Sequence, residues 1–116
     1  MQEVDPGAVQ AWVRRHPSAT LLFYAPWCQH CHAMLPKYKE AAREVSDGAV
    51  VGTVNCDNSP QLTSLYGLRG FPTVLRFVDG EVDSEYEGDR QAASLRRFME
   101  AKLYERRGGA GPGRAR

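Results

Sequence analysis

The chain has 116 residues, enough for one domain with a core of its own and too few for two. Fifteen Lys and Arg stand against 14 Asp and Glu, so no broad basic field points to nucleic acid and no acidic block to a cation sink. Three cysteines are too few for a disulfide-built miniprotein, and the odd count leaves a thiol unpaired within the chain, so cysteine here reads as chemistry rather than framework. The start, Met1 to Pro6, lacks the basic residues and apolar run of a secretory signal, and no stretch approaches the ~20 apolar residues of a membrane span. The end, Arg114-Ala115-Arg116, is not a Lys-Asp-Glu-Leu type retention address. The chain as given is expected to be soluble and monomeric, with the abrupt start and Gly-rich end of an excised domain.

In chain order, Asp5-Pro6 is a helix-start pair, and Val9, Trp12 and Val13 form one apolar stripe that His16-Pro17 stops. Thr20 to Ala25 is an apolar run of strand length, as expected of a strand covered on both faces. A long helix is predicted from about Cys28 to Val45, with Leu35, Tyr38, Ala42 and Val45 inward and a kink at Pro36. Ala49 to Asn55 reads as a second buried strand. Ser59-Pro60 opens a short helix that Gly67 closes. Thr73 to Val78 and Glu81 to Glu87 flank Asp79-Gly80, which suits a type I′ turn, so they form a hairpin whose charged outer strand is a sheet edge. Asp89 caps a last amphipathic helix with Ala92, Leu95, Phe98, Met99 and Leu103 inward. The folded domain is assigned to residues 1–107, and 108–116 to a disordered Gly/Arg tail or linker. This order implies an α/β fold, a mixed central sheet with helices on both faces. The pieces match the thioredoxin fold, whose usual first strand must fit before Asp5 and so is short or missing.

The chemistry concentrates in Ala25-Pro26-Trp27-Cys28-Gln29-His30-Cys31-His32. Cysteines at i and i+3 on the first turn of a helix point to the same side, within bridging distance. Cys28 at the helix start faces unpaired N–H groups and the positive end of the dipole, which favour thiolate, so it is the expected nucleophile. Cys31, one turn deeper, is the expected resolving thiol. A zinc site is disfavoured because Cys56 is alone and His30 and His32 lie too close in sequence to complete a tetrahedron. Cys28-Gln29-His30-Cys31-His32 also satisfies the c-type haem pattern, but it follows a buried strand and suggests no haem-sized cavity. Two merely structural cysteines fit poorly with the exposed Pro26-Trp27 before them. Neither a cofactor nor a metal is called for.

Phe23 through Cys31 resembles the active-site block of the catalytic, a-type domains of protein disulfide isomerases, and the similarity runs from about Val9 to Leu103. A second block, Tyr66 through Thr73, is similar to that family's loop bearing a cis-proline beside the disulfide. The resemblance implies a cis Pro72 facing Cys28 and Cys31, a Phe71 backbone free to pair with an extended substrate, and Trp27 shielding one side of the disulfide. The alternative for Pro72 is an ordinary turn before a strand. By the same resemblance His30 makes the pair more oxidising, nearer the ~−180 mV of protein disulfide isomerase than the ~−270 mV of thioredoxin, although Gln29 replaces the usual Gly. Arg90 matches a mobile arginine that swings toward the resolving cysteine, against the reading of a solvated first-turn residue. Cys56 matches a buried, inert position.

The family's buried Glu and its Lys partner are replaced by Leu22 and Thr53, so Cys31 lacks that internal base and slower turnover is expected. The expected function is thiol–disulfide oxidation, reduction or isomerisation of cysteine-containing client proteins, with an oxidase, a reductase or glutathione recycling the pair. The resemblance places it in the endoplasmic reticulum or secretory pathway. A substrate-binding or chaperone module around Trp27 and Phe71, and an electron-donor domain of a larger redox protein, are the competing readings.

Overall fold

A computed structural model describes the backbone of residues 1–108 and the side chains of residues 1–101. The chain runs β1 (Gln2–Glu3), a 3₁₀ turn (Pro6–Ala8), α1 (Val9–Arg15), β2 (Ser18–Tyr24), α2 (Gln29–Glu44), β3 (Val50–Asn55), α3 (Pro60–Tyr66), β4 (Thr73–Val78), β5 (Glu81–Glu85) and α4 (Ala92–Gly108). The strands form one five-stranded sheet in the order β1-β3-β2-β4-β5, parallel on the β1 side of β2 and antiparallel on the other. This is the thioredoxin fold.

Apolar alternation along β2 feeds two cores. Leu21 and Phe23 pack with Val9, Trp12 and Val13 of α1 and Leu62 of α3. Leu22, on the opposite face, packs with Met34, Tyr38 and Ala41 of α2 and Leu95 and Met99 of α4. The first strand is present but short, with Gln2 and Glu3 paired to Gly52 and Thr53. Gly52 makes that close approach possible, because a Cβ there would lie 3.0 Å from the Gln2 carbonyl and 3.1 Å from the Trp12 ring.

Several boundaries differ from expectation. On α2 the buried residues are Cys31, Met34, Tyr38 and Ala41, while Leu35, Ala42 and Val45 are half-buried. The helix is wedged between the sheet and α4, so its buried stripe is rotated toward both. α2 continues through Pro36. Asp89 lies ahead of α4, where its carboxylate accepts the Gln91 N–H at 3.1 Å in the turn leading into the helix. Asp79 and Gly80 both take positive φ, 54° and 84°, as a type I′ turn requires. Gly108 is the last residue of α4; the expected tail beyond it and the inward Leu103 side chain lie outside the described residues.

Candidate active site

β2, the central strand, ends at Tyr24, and the loop Ala25-Pro26-Trp27 leads from its C-terminal end to Cys28, the N-cap of α2. Cys28 holds an extended backbone (φ −90°, ψ 117°), and its Sγ accepts the Cys31 N–H at 3.2 Å, taking the place an Asp or Ser oxygen occupies at ordinary caps. The same sulfur lies 3.5 Å from the Phe71 carbonyl, to which its thiol donates. The donor from the helix therefore sits where it would stabilise a thiolate on that sulfur.

Cys28 is 8% exposed and Cys31 only 1%, so the two sulfurs form a reachable and a shielded member of one pair. Burial first, and then the bond to Cys28, push the Cys31 thiol up to about 11, with the Ala25 backbone and the Arg90 charge acting the other way. The three cysteines are unbridged.

Trp27 is 67% exposed yet fixed: its indole N–H donates to Asp57 at 3.2 Å and its ring meets Phe71 edge-on at 6.1 Å. The Phe71–Pro72 peptide bond is cis, and the backbone there closes the loop opposite Cys28. Cys28, Cys31, Trp27, Phe71 and Pro72 thus converge from three separate segments of the chain. His30 is exposed on the first turn of α2. Arg90 is exposed in the segment before α4, close enough for its charge to act on Cys31.

Three contributors were not anticipated. Asp57 anchors Trp27 from the turn after β3. The His32 ring meets the Pro26 carbonyl at 2.6 Å and ties the first turn of α2 to the loop before Cys28. Glu3 accepts from Tyr24 at 3.0 Å and from Thr53, and Tyr24 packs against the cysteine cluster. None has a local sequence signal, because each acts across a gap that only the folded chain closes. Leu22 and Thr53 lie side by side in the β2–β3 register, both buried, so no carboxylate or ammonium stands at those two positions. Cys56 is buried, and its thiol is likewise raised to about 11 by desolvation. Among the described residues no three His, Cys, Asp or Glu side chains converge as metal ligands would.

The thioredoxin family model matches residues 3–101. The chain is 36% identical over 101 residues to mouse protein disulfide-isomerase A6, covering 79% of this chain and 23% of that protein. It is 39% identical over 84 residues to the Drosophila melanogaster protein disulfide-isomerase A6 homolog, covering 72% of this chain and 19% of that one. The J-Trx1 fragment of ERdj5 superposes with a TM-score of 0.80 at 29% identity, over 88% of this chain and 51% of the fragment. This chain therefore spans about a fifth of the two full-length relatives. With the fold, the paired cysteines and these relatives in agreement, the chain belongs to the thioredoxin family, as a domain of the protein disulfide isomerase type.

Proposed function

We propose that this domain is a thiol–disulfide oxidoreductase acting on protein disulfides through Cys28 and Cys31. The observation that carries the reading is the Cys28 sulfur at the N-cap of α2, bonded to the Cys31 N–H and facing the Phe71 carbonyl, with the Cys31 thiol beneath it. In the reducing direction the Cys28 thiolate attacks one sulfur of a client disulfide, which breaks, and the released client sulfur takes a proton. Cys31, deprotonated, then attacks the Cys28 sulfur of the mixed disulfide. The second client thiolate leaves and is protonated, while the enzyme holds a Cys28–Cys31 disulfide. Oxidation of a client dithiol is the reverse, and isomerisation is attack by Cys28 followed by attack from another client thiol. Trp27 and Phe71 form the apolar rim against which the client chain lies, with Pro72 positioning the Phe71 backbone. His30, exposed on the first turn of α2, tunes the poise of the pair, and Arg90 assists ionisation of Cys31.

Oxidative folding in the endoplasmic reticulum or another secretory compartment is the proposed setting, supported by the resemblance of both sequence blocks. An oxidase, a reductase or glutathione recycles the pair. Leu22 and Thr53, in place of an internal acid–base pair, support slow resolution by Cys31. The test is the equilibrium between the dithiol and the disulfide in glutathione buffers, followed by Trp27 fluorescence. A reversible two-electron transition supports the reading, and its absence refutes it. The exposed Trp27 favours a second reading, a module that holds unfolded chains; replacing both cysteines abolishes the function under the first reading and leaves the holding of chains intact under the second.

A further inference from the structure

The outer face of α2 carries a groove of about 470 Å³ lined by His32, Leu35, Pro36, Lys39 and Arg43. On a helix these positions fall in one stripe, and its upper end, His32, is bonded to the Pro26 carbonyl in the loop that leads to Cys28, so the groove starts near the cysteine pair and runs down the helix. Among the described residues neither Lys39 nor Arg43 has a carboxylate within ion-pair distance. Leu35 and Pro36 give the groove an apolar floor. Pro36 also has no N–H to offer the His32 carbonyl four residues earlier, which leaves a backbone acceptor at the same place.

Resting on the oxidoreductase reading above, we propose that this groove docks an extended acidic segment of the protein whose disulfide Cys28 attacks, with Lys39 and Arg43 pairing its carboxylates. Length decides the class of ligand. Cys28 and Arg43 are fifteen residues apart, ~22 Å along the helix axis. An extended peptide covers that in about five to seven residues at ~3.3 Å each. Glutathione, with three residues, reaches only ~10 Å and stops short of Lys39 and Arg43. Charge excludes a polyanion: Glu40 and Glu44 border the stripe and the whole chain carries a net charge of only +1, so a short acidic segment fits where a nucleic acid or an anionic membrane does not.

The test uses two peptides joined through one cysteine to the same reporter thiol. One carries an Asp-Glu pair five to seven residues from the cysteine and the other Asn-Gln. With the reduced wild-type chain the acidic peptide shows a KM about three- to tenfold lower, the size expected of two exposed ion pairs. That ratio shrinks toward one at ~1 M salt. In the double variant Lys39→Glu with Arg43→Glu the ratio inverts. Equal KM values in the wild type, or an acidic preference that survives the double variant, overturns the proposal. So does a double variant that slows turnover of oxidised glutathione as much as that of the acidic peptide. If neither peptide reacts at all, the oxidoreductase reading fails and this proposal with it.

Discussion

Raising the pH accelerates the second half of the catalytic cycle, because the shielded Cys31 must ionise before it can resolve a mixed disulfide. In the free dithiol its pKa stands at about 11 against a usual 9.0, and burial is the largest cause. Two smaller raising causes come from Cys28 and vanish once Cys28 is tied into a mixed disulfide, while burial remains. The Cys31 thiol in the intermediate therefore stands lower than in the free dithiol, with burial still pushing it up. At pH 7 a thiol with a pKa of about 11 is thiolate to only about 10⁻⁴ and one at the usual 9.0 to about 10⁻², so the resolution rate rises about tenfold per pH unit while the pH stays below the thiol's pKa. The assay mixes reduced protein with a peptide disulfide, quenches with acid at millisecond intervals, and counts the protein–peptide adduct by mass spectrometry. Cys31→Ser supplies the reference in which the adduct accumulates and persists. A resolution rate that is flat between pH 7 and 9 would refute the argument, since it would mean that Cys31 ionises near neutrality despite its burial.

Arg90→Ala slows resolution about two- to fivefold at pH 8, the size of a solvent-screened charge effect, and leaves adduct formation as the internal control; equal slowing of both steps would place Arg90 outside the Cys31 chemistry. Leu22→Glu with Thr53→Lys speeds resolution at pH 7 by about tenfold or more in quenched-flow, at the low end of general-base effects, and lowers Tm because it puts charge into the core; an intact fold with unchanged resolution removes the account of slow turnover. The reduced protein loses stability as pH rises from about 9 toward 11. Cys31 and Cys56 keep their protons in that window while their unfolded counterparts, near 9.0, release them, so the folded state binds more protons, and burial of Tyr24 and Tyr38 acts in the same sense above 10.0. Thermal melts at pH 8 and 10.5 measure the loss, and Cys56→Ala makes it smaller. Tyr38→Phe costs about 1–2 kcal/mol in urea unfolding, because the buried hydroxyl donates to the Gly52 carbonyl at 2.8 Å and meets the Thr20 carbonyl at 3.3 Å; a neutral substitution would mean that β2 and β3 satisfy those acceptors without it.

The sequence alone determined whatever rests on short-range periodicity and local backbone chemistry. The apolar run at 20–25 and the Val-rich stretch at 49–55 announce covered central strands, Asp79-Gly80 announces the hairpin, and the spacing of Cys28 and Cys31 places two thiols on one helical turn. Which thiol is reached and which is shielded follows from their order along that turn. Tertiary structure decided everything that depends on closing a gap. A strand as short as Gln2–Glu3 carries no periodicity of its own and exists because Gly52 lets β1 and Trp12 approach β3. The inward face of α2 was displaced from its apolar pattern because two partners, the sheet and α4, claim the helix at once. Asp57 holds Trp27 across 30 residues, and the Phe71 carbonyl reaches Cys28 across 43. Pairings of that separation are set by how the sheet orders its strands, and an ordering of strands is a property of the packed whole that no window of neighbouring residues contains.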